Sequence, residues 1–379
     1  MRAIVLCLAI LLAGVLYGPI TLAQTPDELF EQAKTLEKAG KPLEARTRYA
    51  NLCDNNNAKA CNNLGVMLLN GRGGPADAPQ ARVMYAKACE LNNPTACRNL
   101  GWLMESGKGG AADKVQARAL FKRSCDGGLG EACKLHAVML ASGAGGARDY
   151  VGARSSLTTG CEAGFAEGCT LLGVMVQAGS GGPRNARAAQ TLFQRACDGQ
   201  NGDGCRRLGN MLFTGDGGSY DDVQAKLLFE KACGFGDGEG CNSLGRSVNL
   251  STEGTRGFET QRAAYTKACG LKNKDGCFEL GGLLKANSLG LVDVPAARAA
   301  FTKACDMGHG TGCSRLGVML TSGEGGPIDL AGARKATVRA CEDGSFGDCL
   351  TAARMFELGE GGPQDLAAAK RYRTRYSGG

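Results

Sequence analysis

Small and aromatic apolar residues recur four positions apart along this chain, and each set ends in cysteine: Ala81, Tyr85 and Cys89; Ala117, Phe121 and Cys125; Ala189, Phe193 and Cys197; Ala225, Phe229 and Cys233; Ala297, Phe301 and Cys305. Positions i, i+4 and i+8 share one face of a helix, so each set predicts a helix with a buried stripe. Asp113 stands where an N-cap is needed, while Arg118 and Lys122 fall off the stripe. A second apolar set follows each first one, as Cys61, Leu64 and Gly65, or Cys205, Leu208 and Gly209, extended by Met67, Met139, Met175, Met211 and Met319. It predicts a second helix. Glycine inside a helix costs about 1 kcal/mol against alanine, so its recurrence predicts that a neighbouring backbone packs closely at that point.

The polar breaks are equally regular. Three residues after the first cysteine of seven of the nine pairs stands Asn56, Asn92, Gly128, Gly164, Gly236, Gly308 or Gly344, residue types that tolerate positive φ and end helices. The second helix runs into Gly-x-Gly-Gly-Pro at residues 71–75, 179–183, 323–327 and 359–363. That motif reads as a connector, because it lies at helix-to-helix turns and lacks the Lys-Ser/Thr sequel of a phosphate-cradling loop.

Eighteen of the 19 cysteines form nine pairs repeating every 36 residues without insertion: Cys53 and Cys61, Cys89 and Cys97, Cys125 and Cys133, Cys161 and Cys169, Cys197 and Cys205, Cys233 and Cys241, Cys269 and Cys277, Cys305 and Cys313, Cys341 and Cys349. A fixed period of this length predicts an all-α solenoid in which each unit buries its apolar face against its neighbours. The short turn brings the paired cysteines to bridging distance, so each pair is expected to staple a helical hairpin. Closing so small a loop removes about 2.5 kcal/mol of unfolded-chain entropy. Zinc binding is the competing use, but the spacing is wrong for zinc knuckles and the chain has only 2 histidines, so no metal or other cofactor is expected.

The remaining cysteine, Cys7, lies in an uncharged stretch after Arg2 that ends in Thr21-Leu22-Ala23. Residues 1–23 read as a cleaved export signal, leaving residues 24–379 as one elongated domain, secreted or periplasmic, with an even cysteine count and no membrane span. The full chain carries a net charge of +7, of which Arg2 supplies one, and its basic residues are scattered among acidic ones. With few aromatics and no basic stripe, a nucleic-acid partner is not expected. Irregularities appear at His136-Ala137, Gln261, Thr337, the turn 251–256 and residues 287–291, so the solenoid is expected to bend within 245–292. Residues 27–39 and 366–376 read as capping helices, with Ser377 in the last cysteine slot.

The pattern Ala-x-x-Cys-x-x-Leu-Gly-x-Met-Leu-x-x-Gly-x-Gly-Gly-Pro, followed by Asp-x-x-x-Ala-Arg-x-x-Phe-x-Lys-Ala-Cys, resembles the Sel-one-like repeat, a relative of the tetratricopeptide repeat. With its paired cysteines the chain is similar to the Helicobacter cysteine-rich protein family. The resemblance implies a right-handed α/α superhelix acting as an interaction scaffold, whose second helices line a concave groove. On that footing the outward positions after Cys and after Gly supply the candidate site: Arg98, Trp102, Lys134, Arg206, Asn210 and Arg246. A row of Arg, Asn and the only Trp suits a protein or extended peptide, or a cell-wall fragment. The resemblance also implies an alternative, penicillin binding or weak β-lactamase activity. The residues favour it less: there is no Ser-x-x-Lys, His136 occupies a core leucine slot, and His309 falls in a turn.

Overall fold

A computed structural model describes residues 24–218, 220–286 and 291–377; the expected signal with Cys7, and residues 287–290 of the irregular stretch, lie outside the described residues. All regular elements among them are α-helices, and the chain divides into two compact units, one ending at Gly127 and one beginning at Gly128. The first holds α1 (Pro26–Lys38), α2 (Pro42–Asp54), α3 (Ala58–Asn70), α4 (Ala78–Glu90), α5 (Pro94–Ser106) and α6 (Lys114–Asp126). The second holds α7 (Gly130–Ser142), α8 (Tyr150–Glu162), α9 (Ala166–Ala178), α10 (Ala186–Asp198), α11 (Gly202–Thr214), α12 (Asp222–Gly234), α13 (Gly238–Ser247), α14 (Leu250–Gly270), α15 (Lys274–Lys285), α16 (Val294–Asp306), α17 (Gly310–Ser322), α18 (Leu330–Glu342), α19 (Phe346–Leu358) and α20 (Leu366–Ser377). Odd-numbered helices from α3 onward carry the Cys-Leu-Gly set, apart from His136-Ala137 in place of Leu-Gly in α7 and Ala352-Ala353 in α19. Even-numbered helices carry the Ala-aromatic-Cys stripe or its variants.

The stripes are buried as expected: Ala81, Tyr85 and Cys89 in the first unit, and Ala189, Phe193 and Cys197 in the second, are almost wholly shielded. Asp113 caps α6 by accepting from the Gln116 N–H at 2.9 Å, and Thr25 forms a reciprocal capping box at the start of α1.

One expectation changes. The most extensive packing joins helices on either side of the glycine connector, such as α3 with α4 and α9 with α10, rather than helices on either side of the cystine turn. The hairpin is therefore odd-then-even, and the disulfides lie at the seams between successive hairpins. Cys53–Cys61 and Cys89–Cys97 do this in the first unit. Cys161–Cys169, Cys197–Cys205, Cys233–Cys241, Cys269–Cys277, Cys305–Cys313 and Cys341–Cys349 do it in the second, all with Cα separations of 4.4–4.6 Å. Cys125 and Cys133 are disulfide-bonded as well. Within the cystine turns the left-handed slot is kept even where neither Gly nor Asn occupies it, at Gln200 (φ 62°) and Lys272 (φ 61°).

The glycine inside the odd helices also has a different cause from the one expected. A Cβ at Gly65 would lie 2.7 Å from the Tyr85 ring, and one at Gly173 would lie 2.6 Å from the Phe193 ring, so the close neighbour is an aromatic side chain and not a backbone. Where Ala137 replaces the glycine of α7, Leu157 replaces the aromatic of α8, and both are buried. The connector has its own logic. Gly71 ends α3 in the left-handed conformation, and a Cβ at Gly73 would lie 2.4 Å from the Pro42 carbonyl oxygen. The arginine beside the stripe alanine then ties the connector down: Arg46 donates to the Pro75 carbonyl, and Arg298 and Arg334 to those of Pro327 and Pro363.

Residues 245–286 depart from this plan, where irregularity was expected. Helix α13 has 10 residues, against 13 in α11, and ends at an extended Val248 instead of a left-handed glycine. Gln261 at the stripe-alanine position supplies donors there: Nε2 donates to the Gly245 carbonyl (3.0 Å), which also accepts the Val248 N–H, and to the Val248 carbonyl (3.2 Å), whose counterparts Leu68 and Leu212 accept from the backbone of Asp77 and Asp221. Gly254, at φ 54°, breaks the start of α14.

Candidate functional site

Odd-numbered helices lie side by side within the second unit, α7 by α9, α9 by α11, α11 by α13 and α13 by α15, so a given repeat position becomes a row across them. The position after the repeat glycine is outward. Val138 and Val318 are more than half exposed, and Asn210 and Arg246 are also exposed. The position after the cysteine behaves differently, because it faces the first turn of the next odd helix. Thr170 and Asn242 are buried there, while Lys134 and Arg206 are only partly accessible.

The basic residues at this position are consequently engaged with the next repeat, and so is Arg246 after the repeat glycine. Lys134 Nζ meets Glu167 at 3.1 Å, Arg206 Nε meets Asp237 at 3.0 Å, and Arg246 Nη2 meets Glu279 at 2.8 Å. Arg206 also contacts Asp203, which Arg207 holds at 2.9 Å. Thr170 Oγ1 donates to Asn201 Oδ1, the N-cap of α11, at 3.0 Å. Burial is the largest influence on Arg246 and works against its charge, but the hydrogen bonds it donates to Glu279 together with the attraction of that and nearby negative charges raise the guanidinium pKa. Sequence reasoning placed these cations on the right helices and missed their partners. The signal was present: each has an acidic residue 31 or 33 positions downstream, one repeat away with a small offset.

In the first unit the row contains Arg98 and Trp102 on α5. Trp102 is 46% exposed, with the Lys108 ammonium 5.8 Å from its ring centroid. Arg98 is half-buried beside Tyr85, whose phenol burial pushes up to about 12 against the opposing charges of Arg98 and Arg72. Asn99 Nδ2 donates to Asn62 Oδ1 at 3.0 Å, linking α5 to α3. Beside them a cavity of about 500 Å³ is lined by Lys34, Glu37 and Lys38 of α1, Asn63 and Val66 of α3, and Arg72 of the connector. Arg72 Nη1 contacts Glu37 Oε1 at 2.5 Å. No sequence pattern marked this cavity, since α1 precedes the first cysteine.

Both histidines sit in structural positions. His136 Nδ1 lies 2.8 Å from Ser156 Oγ, with both side chains buried and the serine hydroxyl donating to the Gly152 carbonyl. His309 takes the N-cap slot of α17, where its Nδ1 accepts from the Gly312 N–H at 3.0 Å, and its ring stacks on Phe278 with centroids 4.4 Å apart. No helix among the described residues is long and apolar enough to cross a membrane.

The family model for the Sel1 repeat matches residues 58–93, 94–129, 166–201, 202–234 and 349–372, and each full match starts at an odd helix and ends after an even one. Among curated proteins none matches. Among solved structures, a protective antigen present in uropathogenic Escherichia coli strains displaying an SLR fold is 22% identical with a TM-score of 0.60, over 92% of this chain and 86% of that one. A Sel1 repeat protein from Oxalobacter formigenes is 21% identical with a TM-score of 0.53, over 63% of this chain and 96% of that one. Cysteine-rich protein B of Helicobacter pylori is 27% identical over 34% of this chain and 92% of its own, with a TM-score of 0.28. This chain therefore carries five Sel1 repeats within an all-helical array of paired helices, with cystines at the repeat seams.

Proposed function

We propose that this chain is an exported scaffold that binds an extended peptide segment of another protein along the outward rows of its odd-numbered helices. Sel1 repeats generally mediate protein–protein interactions. The observation that carries the finer reading is the outward row itself: the position after the repeat glycine varies from repeat to repeat and is solvent-facing, as Trp102 in the first unit and Val138, Asn210, Arg246 and Val318 in the second. Isolated apolar residues flanked by paired charges give a peptide both side-chain contacts and polar partners, and an exposed Trp is the residue type that most often anchors such contacts. Export is supported by the buried cystines, which persist in an oxidising compartment.

Crosslinking of the oxidised protein in an envelope extract, followed by peptide mapping, tests the reading. Crosslinks are expected on the odd helices. Replacing Val138, Asn210 and Arg246 together by alanine is expected to weaken capture of the mapped partner at least tenfold, and unchanged affinity would refute the assignment. Mature protein recovered from the envelope or medium is expected to begin at Gln24.

A further inference from the structure

Several charges of this protein are matched across repeat seams, as Lys134 with Glu167, Arg206 with Asp237 and Arg246 with Glu279, and at one place cations gather around a cavity instead. In the cavity between α1, α3 and the connector after α3, Lys34, Lys38 and Arg72 converge from two elements on a space of about 500 Å³, with Glu37 as the one lining carboxylate. Lys34 is already paired with Glu31 at 2.8 Å, and Glu37 with Arg72, so both cations are held in place. Lys38 is exposed and has no ion-pair partner among the described residues. The charges of Arg72 and Arg98 both act on the Tyr85 hydroxyl, so the positive field continues from the cavity toward α5. Asn63 adds an amide to the lining and Val66 a small apolar floor, and Trp102 stands at the equivalent row position one repeat on from Val66.

We infer that this cavity receives a side-chain carboxylate of an acidic peptide segment; the inference rests on the peptide-binding reading above and names the chemistry of the ligand. Lys38 supplies the uncommitted charge. Arg72 offers the guanidinium edge that Glu37 leaves open, because a planar guanidinium can serve two carboxylates on different edges. Glu37 holds Arg72 in place, and the three cations outnumber it, so the lining keeps a net positive charge for an entering carboxylate. Asn63 can accept from or donate to the peptide backbone, and the neighbouring Trp102 gives a side chain of the same peptide an aromatic surface.

Hexaglutamate and hexaglutamine peptides carrying a fluorescent label, titrated into the full oxidised chain, provide the test, with Trp102 emission as a second readout because it is the only tryptophan. Hexaglutamate is expected to bind at least tenfold more tightly than hexaglutamine at equal ionic strength. Lys38→Glu, at an exposed site with no contact to lose, is expected to weaken hexaglutamate at least tenfold; Arg72→Gln should weaken it several-fold. Lys122→Ala, on the exposed face of α6, should leave it unchanged. Equal binding of the two peptides, or an unaffected Lys38→Glu variant, overturns the cavity assignment. If a partner mapped by crosslinking still binds in that case, the peptide-binding reading stands and only the acidic-ligand inference falls. If no peptide and no mapped partner binds, both fall.

Discussion

Within the second unit, the hairpin of α9 and α10 and the stretch of α13 and α14 begin from the same repeat and end differently. In the first, α9 runs 13 residues to a left-handed Gly179, and Gly181 packs 2.3 Å, by its would-be Cβ, from the Tyr150 carbonyl oxygen. In the second, α13 stops three residues short, no glycine connector follows, and Gln261 supplies by side chain the hydrogen bonds that the connector backbone makes elsewhere. The Gly-x-Gly-Gly-Pro motif therefore combines a helix C-cap, a close backbone approach and an acceptor for arginine. Losing it requires replacements at several separate positions. What survives in both stretches is the cystine seam and the aromatic ring over the helix glycine: Phe193 on Gly173, and Tyr265 on Gly245.

The ring-on-glycine contact gives the largest effect with which to break this equivalence. Gly173→Ala should destabilise the chain by about 2 kcal/mol, since the overpacking cost exceeds the gain in helix propensity. Adding Phe193→Leu should recover more than half of that, reproducing the natural Ala137 and Leu157 pair. Denaturant titration of the oxidised single and double variants measures both. Additive losses in the double variant would show that the ring and the glycine are not complementary partners.

A smaller contrast separates the seams themselves. Thr170 is buried with its hydroxyl bonded to Asn201, whereas Asn242, one position of the same row two repeats later, is fully buried with no hydrogen-bond partner for its amide among the described residues. Thr170→Val should cost about 1 kcal/mol, and Asn242→Leu should be neutral or stabilising, because an unsatisfied buried amide is unfavourable and an apolar replacement of similar shape is not. Loss of stability on both substitutions would place a structural role on the Asn242 amide.

The smallest effect expected is a dependence on acid confined to the irregular stretch. Lys226 donates to Glu253 at 2.9 Å, and this hydrogen bond lowers the Glu253 carboxyl below its ordinary pKa of 4.5. A depressed carboxyl stabilises the fold above its unfolded pKa and ceases to do so as pH falls through the folded value. Hydrogen exchange of residues 250–256 should therefore rise, relative to α9 and α10, as pH falls through the depressed Glu253 value, and Lys226→Met should remove that difference. Equal acid sensitivity in both stretches would contradict the assignment.

Much of the fold was legible in the sequence because a 36-residue period repeats one physical solution nine times, so local ambiguities average out: Ala81, Tyr85 and Cys89 say little alone and much when copied. The grouping of helices into hairpins was not legible. A short cystine turn suggests a hairpin, but the extent of packing across Gly71 to Asp77 depends on the Tyr85 ring meeting Gly65, a contact 20 residues apart. For the same reason the candidate cations were found and their partners missed. Lys134, Arg206 and Arg246 meet carboxylates that lie one repeat on, and that register appears only when helices are set side by side. The cavity at α1 lay outside the repeat altogether, so no period could reveal Lys34 and Lys38 facing Arg72.

At the centre of the account is covalent linkage between successive Sel1 repeats by cystines eight residues apart. Proteolysis of the folded, unreduced protein within the odd-to-even connectors, followed by mass spectrometry, tests it directly. The account predicts that fragments cut after Gly182 and Gly218 contain the Cys197–Cys205 bridge, with no free thiol among the nine cysteine pairs from Cys53 to Cys349. Free cysteines in the folded protein, or bridges joining one seam to another, would contradict it.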